Sequence, residues 1–135
     1  MPRPSTPARL RLGAAVAAVA VLAGGLALQL GERNAVIDAA GSMLYVVLVG
    51  LVVMMIGPRL APWAVAVIAL AVSVAIELLQ LTGLPGAIVD AVPAARLVFG
   101  SSFDPWDLLA YLAGALLLWA IAVLIRRIAV RTSTG

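Results

Sequence analysis

The stretch A-P-W-A-V-A-V-I-A-L-A-V-S-V-A-I-E-L-L-Q-L, residues 61–81, decides the fold. An α-helix of about 20 mainly apolar residues crosses the roughly 30 Å hydrocarbon core of a membrane, and this stretch is that long. It contains a single charged residue, Glu77. Three other segments are similarly apolar and carry no charge at all. The predicted spans cover residues 12–30, 39–56, 61–84 and 108–125.

The composition of the whole chain supports a membrane protein and excludes a soluble enzyme. Of 135 residues, 64% are hydrophobic and 11% are charged, and the mean hydropathy is +1.17. Soluble domains average about half apolar and a quarter charged, so this chain has too few polar residues to cover a soluble surface. Cysteine and histidine, the usual zinc and haem ligands, are absent. The sequence predicts one all-α integral membrane domain over residues 1–135, a four-helix transmembrane bundle without metal or cofactor.

The nine arginines predict the orientation of this bundle. With the spans placed as above, seven lie on the side of both chain ends and two on the other side. Cytoplasmic segments carry an excess of arginine, so both termini are predicted to be cytoplasmic. The seven are Arg3, Arg9, Arg11, Arg59, Arg126, Arg127 and Arg131, and the two are Arg33 and Arg96. The first span also fits a cleavable signal peptide, whose removal would leave three spans.

The outer connection between the third and fourth spans is long and apolar. It runs from Pro85 to Trp106, and a structureless loop of this length is uncommon in a compact domain. We expect it to lie in the membrane interface or to dip into the bundle, with a short helix broken near Pro93. The fourth helix then begins clearly, with Asp104 as its N-cap and Asp107 at its third position.

The polar residues inside the spans are the candidate functional residues. Glu77 lies about 24 Å along the third span, in its outer part. Charged residues at such positions are costly to bury and often functional. Ser73, Glu77 and Gln80 share one helix face by their spacing, as do Asp107, Tyr111 and Gly114 on the fourth helix. The sequence predicts that these faces meet, with Arg96 as the cation. The candidate binding residues are Glu77, Gln80, Arg96, Asp107 and Tyr111.

Structural interpretations of the same residues stay open. Glu77, Gln80 and Arg96 fit a buried polar lock that holds the loop, because polar side chains hydrogen-bond between membrane helices. Asp107 fits a helix cap alone, and Tyr111 fits an ordinary interfacial aromatic residue. Gly114 favours a close contact between helices.

Part of the chain resembles the bacterial membrane family called domain of unknown function 2809 (DUF2809). The resemblance rests on I-E-L-L-Q-L at 76–81, on Arg96, and on L-V-F-G-S-S-F-D-P-W-D-L-L-A-Y-L-A-G at 97–114. L-G-E-R at 30–33 and G-S-M-L-Y at 41–45 resemble an earlier segment of the family pattern. The second residue of G-S-M-L-Y is usually Asp in the family, whereas this chain has Ser42 there.

The spacing of Glu, Gln, Arg and Asp is also similar to that of the VanZ-like family. Tyr111 stands where the VanZ-like family usually has Asn, which favours the first resemblance. These resemblances imply a multi-pass protein of a bacterial plasma membrane without an established biochemical activity. They connect it only loosely with the cell envelope.

Two functional hypotheses follow, beside a purely structural bundle. In the first, a non-catalytic binding or accessory protein uses an outward-facing polar pocket to engage an envelope lipid, a cell-wall precursor or a partner membrane protein. In the second, a membrane enzyme or proton-coupled transport component uses Glu77 and Asp107. The sequence leaves open whether the protein forms a homo-oligomer. Nucleic acid is excluded as a partner, since no basic face with interleaved aromatic residues is present.

Overall fold

The computed structural model describes residues 5–31, 34–95 and 104–131, and this part of the chain is helical and contains no strand. Its α-helices are α1 (Thr6–Leu28), α2 (Ala35–Ile56), α3 (Pro62–Gln80), α4 (Leu84–Ala91) and α5 (Pro105–Arg131). A short 3-10 helix follows α4 at Pro93–Ala95. Four helices, α1, α2, α3 and α5, are long and apolar enough to cross a membrane. Within the described residues, the prediction of an all-α fold with four candidate spans is confirmed, and these helices indicate a multi-pass membrane protein.

Side-chain caps explain why two helices begin before the predicted spans. Asn34 precedes α2, and its side chain accepts hydrogen bonds from the backbone N–H groups of Val36 and Ile37, each at 3.0 Å. Asp104 precedes α5, and its Oδ1 accepts the N–H of Trp106 at 2.9 Å. Both contacts satisfy donors that have no partner within the helix. The predicted N-cap at Asp104 is confirmed.

The predicted third span, 61–84, is too long at its outer end. Helix α3 ends at Gln80, and Gly83 adopts a left-handed backbone conformation with φ of 73°. The Thr82 hydroxyl donates to the carbonyl of Leu79 at 2.7 Å and accepts the N–H of Leu84 at 3.3 Å. This turn separates α3 from α4 within one apolar run, which hydropathy alone does not reveal.

Helix α4 occupies the first part of the apolar connection. It contacts α3 and the following 3-10 helix and none of the other described helices. It ends at Ala91, before Pro93, whose ring cannot continue a helix. Residues 96–103 of this connection lie outside the described part of the chain.

Helices α2 and α5 form the centre of the bundle. Each of α1 and α3 contacts both of them, whereas α1 and α3 do not contact each other within the described residues. Leu51 and Met54 of α2 and Leu118 of α5 are fully buried in this centre. At Gly114 the backbone of α5 lies against α2, so close that a Cβ there would lie 2.6 Å from the carbonyl oxygen of Met43. The predicted close helix contact at Gly114 is confirmed.

Arginine side chains join the helices at the end of the bundle where α1 begins and α5 ends, which we call the terminal end. The Arg11 Nε donates to the carbonyl of Met55 at 3.0 Å, near the end of α2. The Arg126 guanidinium donates to the carbonyls of Pro58 and Leu60, in the turn between α2 and α3. These contacts satisfy carbonyl groups that a helix leaves without partners at its C-terminus and in the turn beyond it.

The Gly114 contact gives a stability prediction. In Gly114→Ala the new Cβ meets backbone atoms of Met43, which cannot move without moving α2. We expect the free energy of unfolding to fall by about 1–3 kcal/mol, the usual range for overpacking. Gly24→Ala in α1 is the matched control, because a Cβ there meets nothing within 4 Å. Denaturant unfolding in detergent micelles measures both changes, and an equal effect of the two substitutions would contradict the close contact.

Candidate functional site

The carboxylate of Glu77 joins α3 to the first turns of α5. Glu77 is only 1% exposed. Its Oε1 accepts the backbone N–H of Asp104 at 2.7 Å, and its Oε2 accepts the hydroxyl of Tyr111 at 2.7 Å. Both carboxylate oxygens are therefore bound by groups of the same neighbouring helix. Burying this group would be expensive without such partners.

Glu77 makes a contact at the start of α5 that, in many helices, a residue of the same helix makes. In a capping box, the residue at the third helical position reaches back to the N–H of the N-cap residue. Asp107 has that position in α5, yet the N–H of Asp104 is bound by Glu77 from α3. The carboxylate thus lies at the positive end of the α5 dipole, which favours a negative charge.

The donors of the first turn of α5 are fully accounted for. The N–H of Asp104 binds Glu77, Pro105 has no N–H, and the N–H of Trp106 binds the Asp104 side chain. The N–H of Asp107 binds the carbonyl of Asp104 at 3.0 Å. Glu77 is therefore a structural part of this helix start, contributed by another helix.

Asp107 connects α5 to α2. Its Oδ1 accepts the hydroxyl of Ser42 at 2.7 Å. The interpretation of Asp107 as a cap alone is therefore wrong, because its side chain binds across the bundle. No local pattern pairs these two residues, although Ser42 lies near the outer end of the second predicted span, the depth at which the fourth begins.

Tyr111 is a core residue. It is 6% exposed, and its hydroxyl donates to Glu77. Its ring lies 6.4 Å from that of Tyr45 in α2, at an angle of 43° between the planes. The interpretation of Tyr111 as an ordinary interfacial aromatic is therefore wrong. Tyr45 is not among the predicted site residues, but it follows Ser42 by three residues and so shares its helix face.

The polar face of α3 turns inward, as its spacing predicts. Ser73, one turn before Glu77, is fully buried, and its Oγ has no hydrogen-bond partner within the described part of the chain. Gln80, one turn after Glu77, is half-buried. Arg96, the predicted cation, lies outside the described residues, so its pairing with Glu77 or Asp107 stays a prediction. We call Ser42, Glu77, Asp104, Asp107 and Tyr111 the Glu77 network.

The described charges separate completely between the two ends of the bundle. The end opposite the terminal end, which we call the acidic end, holds all the described acidic residues: Asp38, Glu77, Asp90, Asp104 and Asp107. The terminal end holds all the described basic residues: Arg9, Arg11, Arg59, Arg126, Arg127 and Arg131. The acidic side chains are not grouped to hold a metal ion: no cluster of three or more suitable ligands occurs among the described residues.

Fold and site define a small multi-pass membrane protein with a buried carboxylate network at one end. The chain belongs to the family described as protein of unknown function (DUF2809), whose model matches residues 31–115. The match includes the whole Glu77 network, together with α3 and α4. Among curated proteins and solved structures, no significant match was found.

Proposed function

We propose that this chain is a non-catalytic binding or accessory protein of a bacterial plasma membrane, with an outward-facing polar pocket at its acidic end. The main observation in support is that hydrogen-bond donors of the chain itself bind both carboxylate oxygens of Glu77. A general base or nucleophile needs an oxygen that faces its substrate. Glu77 instead holds α3 and α5 together and so fixes the polar groups around it.

The separation of charge supports the proposed orientation. The terminal end is entirely basic and the acidic end entirely acidic among the described residues. Basic residues favour the cytoplasmic side of a membrane. We therefore place both termini in the cytoplasm and the Glu77 network toward the outside.

Cysteine labelling tests this orientation, because the chain has no cysteine of its own. Arg59→Cys and Ala91→Cys place one thiol at each end of the bundle, both at exposed positions. We expect a membrane-impermeant maleimide to label Ala91→Cys in spheroplasts, and to label Arg59→Cys only after the membrane is permeabilised. The reverse pattern would contradict the orientation.

The pocket would be formed by polar groups next to Glu77. Asp107 is half-buried, Asp104 is exposed and Gln80 is half-buried, so these side chains lie nearer the surface than Glu77. Arg96 belongs to the proposed pocket by its position in the adjoining connection. The described charged side chains at the acidic end are all carboxylates, so the pocket suits a ligand rich in hydroxyl or amine donors. Such groups occur in the headgroups of envelope lipids and in cell-wall precursors. The VanZ-like spacing supports this connection with the envelope.

Asp107→Asn tests the pocket with little change to the fold. The amide oxygen still accepts the Ser42 hydroxyl, while the negative charge is lost. We expect the purified wild-type protein, incubated with a bacterial polar lipid extract, to retain a lipid with an amine or hydroxyl-rich headgroup, detected by native mass spectrometry. The variant should retain it about five- to tenfold less, because a hydrogen bond to a charged group is about 1 kcal/mol stronger.

Asp90→Asn is the matched control, since it removes one charge from the exposed surface of α4 at the same end. It should retain the lipid as the wild type does. A wild-type protein that retains no such lipid, or an Asp107→Asn variant that retains it fully, would contradict the proposed pocket.

A proton-coupled transport component or membrane enzyme is the second candidate. The buried Ser73 hydroxyl, one turn deeper than Glu77, favours it, because it extends the polar groups toward the centre of the bundle. If proteoliposomes with the wild-type protein dissipate a pH gradient and those with Glu77→Gln do not, this candidate replaces the accessory role.

A further inference from the structure

We infer that a phospholipid with an amine headgroup binds at the acidic end, with one acyl chain inserted between α1 and the rest of the bundle. The inference rests on the proposed pocket and names the class of its ligand. The acyl chain lies in what we call the α1 cleft, the space between residues 19–28 of α1 and the pair α2 and α5. The amine meets the carboxylates of Asp38 and Asp107.

Helix α1 packs tightly on the bundle only toward the terminal end. Its buried residues are Leu10, Ala14 and Ala18, and no residue of the helix after Ala18 is buried. At Gly13 a Cβ would lie only 2.9 Å from the Cγ2 of Ile125 in α5. The contact between α1 and α5 is therefore closed at this end.

Toward the acidic end, the same face of α1 leaves open space. Gly25 follows Ala18 by seven residues, so it shares the inward face, and it is half-buried. A Cβ there would meet nothing within 4 Å in the described part of the chain. On α5, Ile125 and Ile121 pack against the core, whereas Leu117, one turn nearer the acidic end, is 41% exposed. The two helices thus diverge toward the acidic end.

The length of the α1 cleft favours an acyl chain over another helix. From Ala18 to Leu28 the helix rises about 15 Å. This is half of the roughly 30 Å hydrocarbon core, which is the depth that the acyl chains of one leaflet fill. A partner helix would have to cross the whole core, and the close packing at Gly13 leaves no room for it between α1 and α5.

Carboxylates at the acidic end of the two helices that border the α1 cleft favour an amine headgroup. Asp107 of α5 accepts the Ser42 hydroxyl of α2 through Oδ1. Asp38 lies one turn from Ser42 on the same face of α2. The described residues at this end include no basic residue. An ammonium group has the complementary charge and donates charge-assisted hydrogen bonds to carboxylates, whereas a glycerol headgroup has no positive charge.

Lipid competition with variants of the α1 cleft tests the inference. In mixed micelles of phosphatidylethanolamine and phosphatidylglycerol with identical acyl chains, native mass spectrometry should show that the wild-type protein retains mainly phosphatidylethanolamine. Gly25→Leu should lower the amount retained about 15-fold, because its side chain excludes about two methylene groups of the acyl chain. Gly25→Ala should lower it about fourfold, and it provides the measurement if the leucine variant does not fold.

Gly24→Leu is the matched control. Gly24 precedes Gly25 in α1 and is exposed, and a Cβ there meets nothing within 4 Å, so the new side chain extends into the surrounding lipid. This variant should retain phosphatidylethanolamine as the wild type does. An equal loss in Gly24→Leu and Gly25→Leu would overturn the inference, as would equal retention of the two lipids by the wild-type protein.

The same experiment separates the α1 cleft from the proposed pocket. If Asp107→Asn lowers the retention of phosphatidylethanolamine and neither variant of Gly25 does, the pocket stands and the α1 cleft is wrong. If the wild-type protein retains neither lipid, or Asp107→Asn retains phosphatidylethanolamine fully, the pocket is wrong and the inference is overturned with it.

Discussion

A buried carboxylate at the start of a neighbouring helix is the constraint on which the acidic end of this protein depends. In an apolar bundle, Glu77 needs donors for both oxygens, and α5 provides them through the N–H of Asp104 and the hydroxyl of Tyr111. These two groups lie two turns apart on α5, so both bonds form only when α3 and α5 are correctly aligned. The connection between α3 and α5 must then place Asp104 beside Glu77, although the two residues are 27 positions apart in the chain.

The remaining polar contacts divide between the two ends of the bundle. At the acidic end, the Ser42–Asp107 hydrogen bond ties α2 to the same helix start that Glu77 completes. At the terminal end, Arg11 and Arg126 bind carbonyl groups at the end of α2 and in the turn that follows. Between the ends, packing is apolar and close, as at Gly114. Two of the arginines that predict orientation in the sequence, Arg11 and Arg126, are therefore also structural.

The sequence predicts those features that depend on local pattern. The four apolar helices, the N-cap at Asp104, the inward face of Ser73 and Glu77, and the close approach at Gly114 all follow from spacing and residue type. The partners of the polar groups do not, because they depend on the rotation of each helix against its neighbours. The spacing of Tyr111 fits an interfacial position, but in the structure its hydroxyl donates to Glu77. The position of Asp107 fits a cap, but its side chain accepts the Ser42 hydroxyl from α2. Hydropathy does not predict the end of α3, because the turn at Thr82 and Gly83 interrupts an otherwise apolar run.

A double-mutant cycle between Glu77 and Tyr111 tests the central claim most directly. Tyr111→Phe should lower the free energy of unfolding in micelles by about 1.5–3 kcal/mol, as expected for a buried hydrogen bond to a charged group. The same change in a Glu77→Gln background should cost much less, which gives a coupling energy of about 1–3 kcal/mol. Thr82→Ala, which shares no partner with Glu77, should be additive with Tyr111→Phe. A coupling energy near zero between Glu77 and Tyr111 would contradict the account.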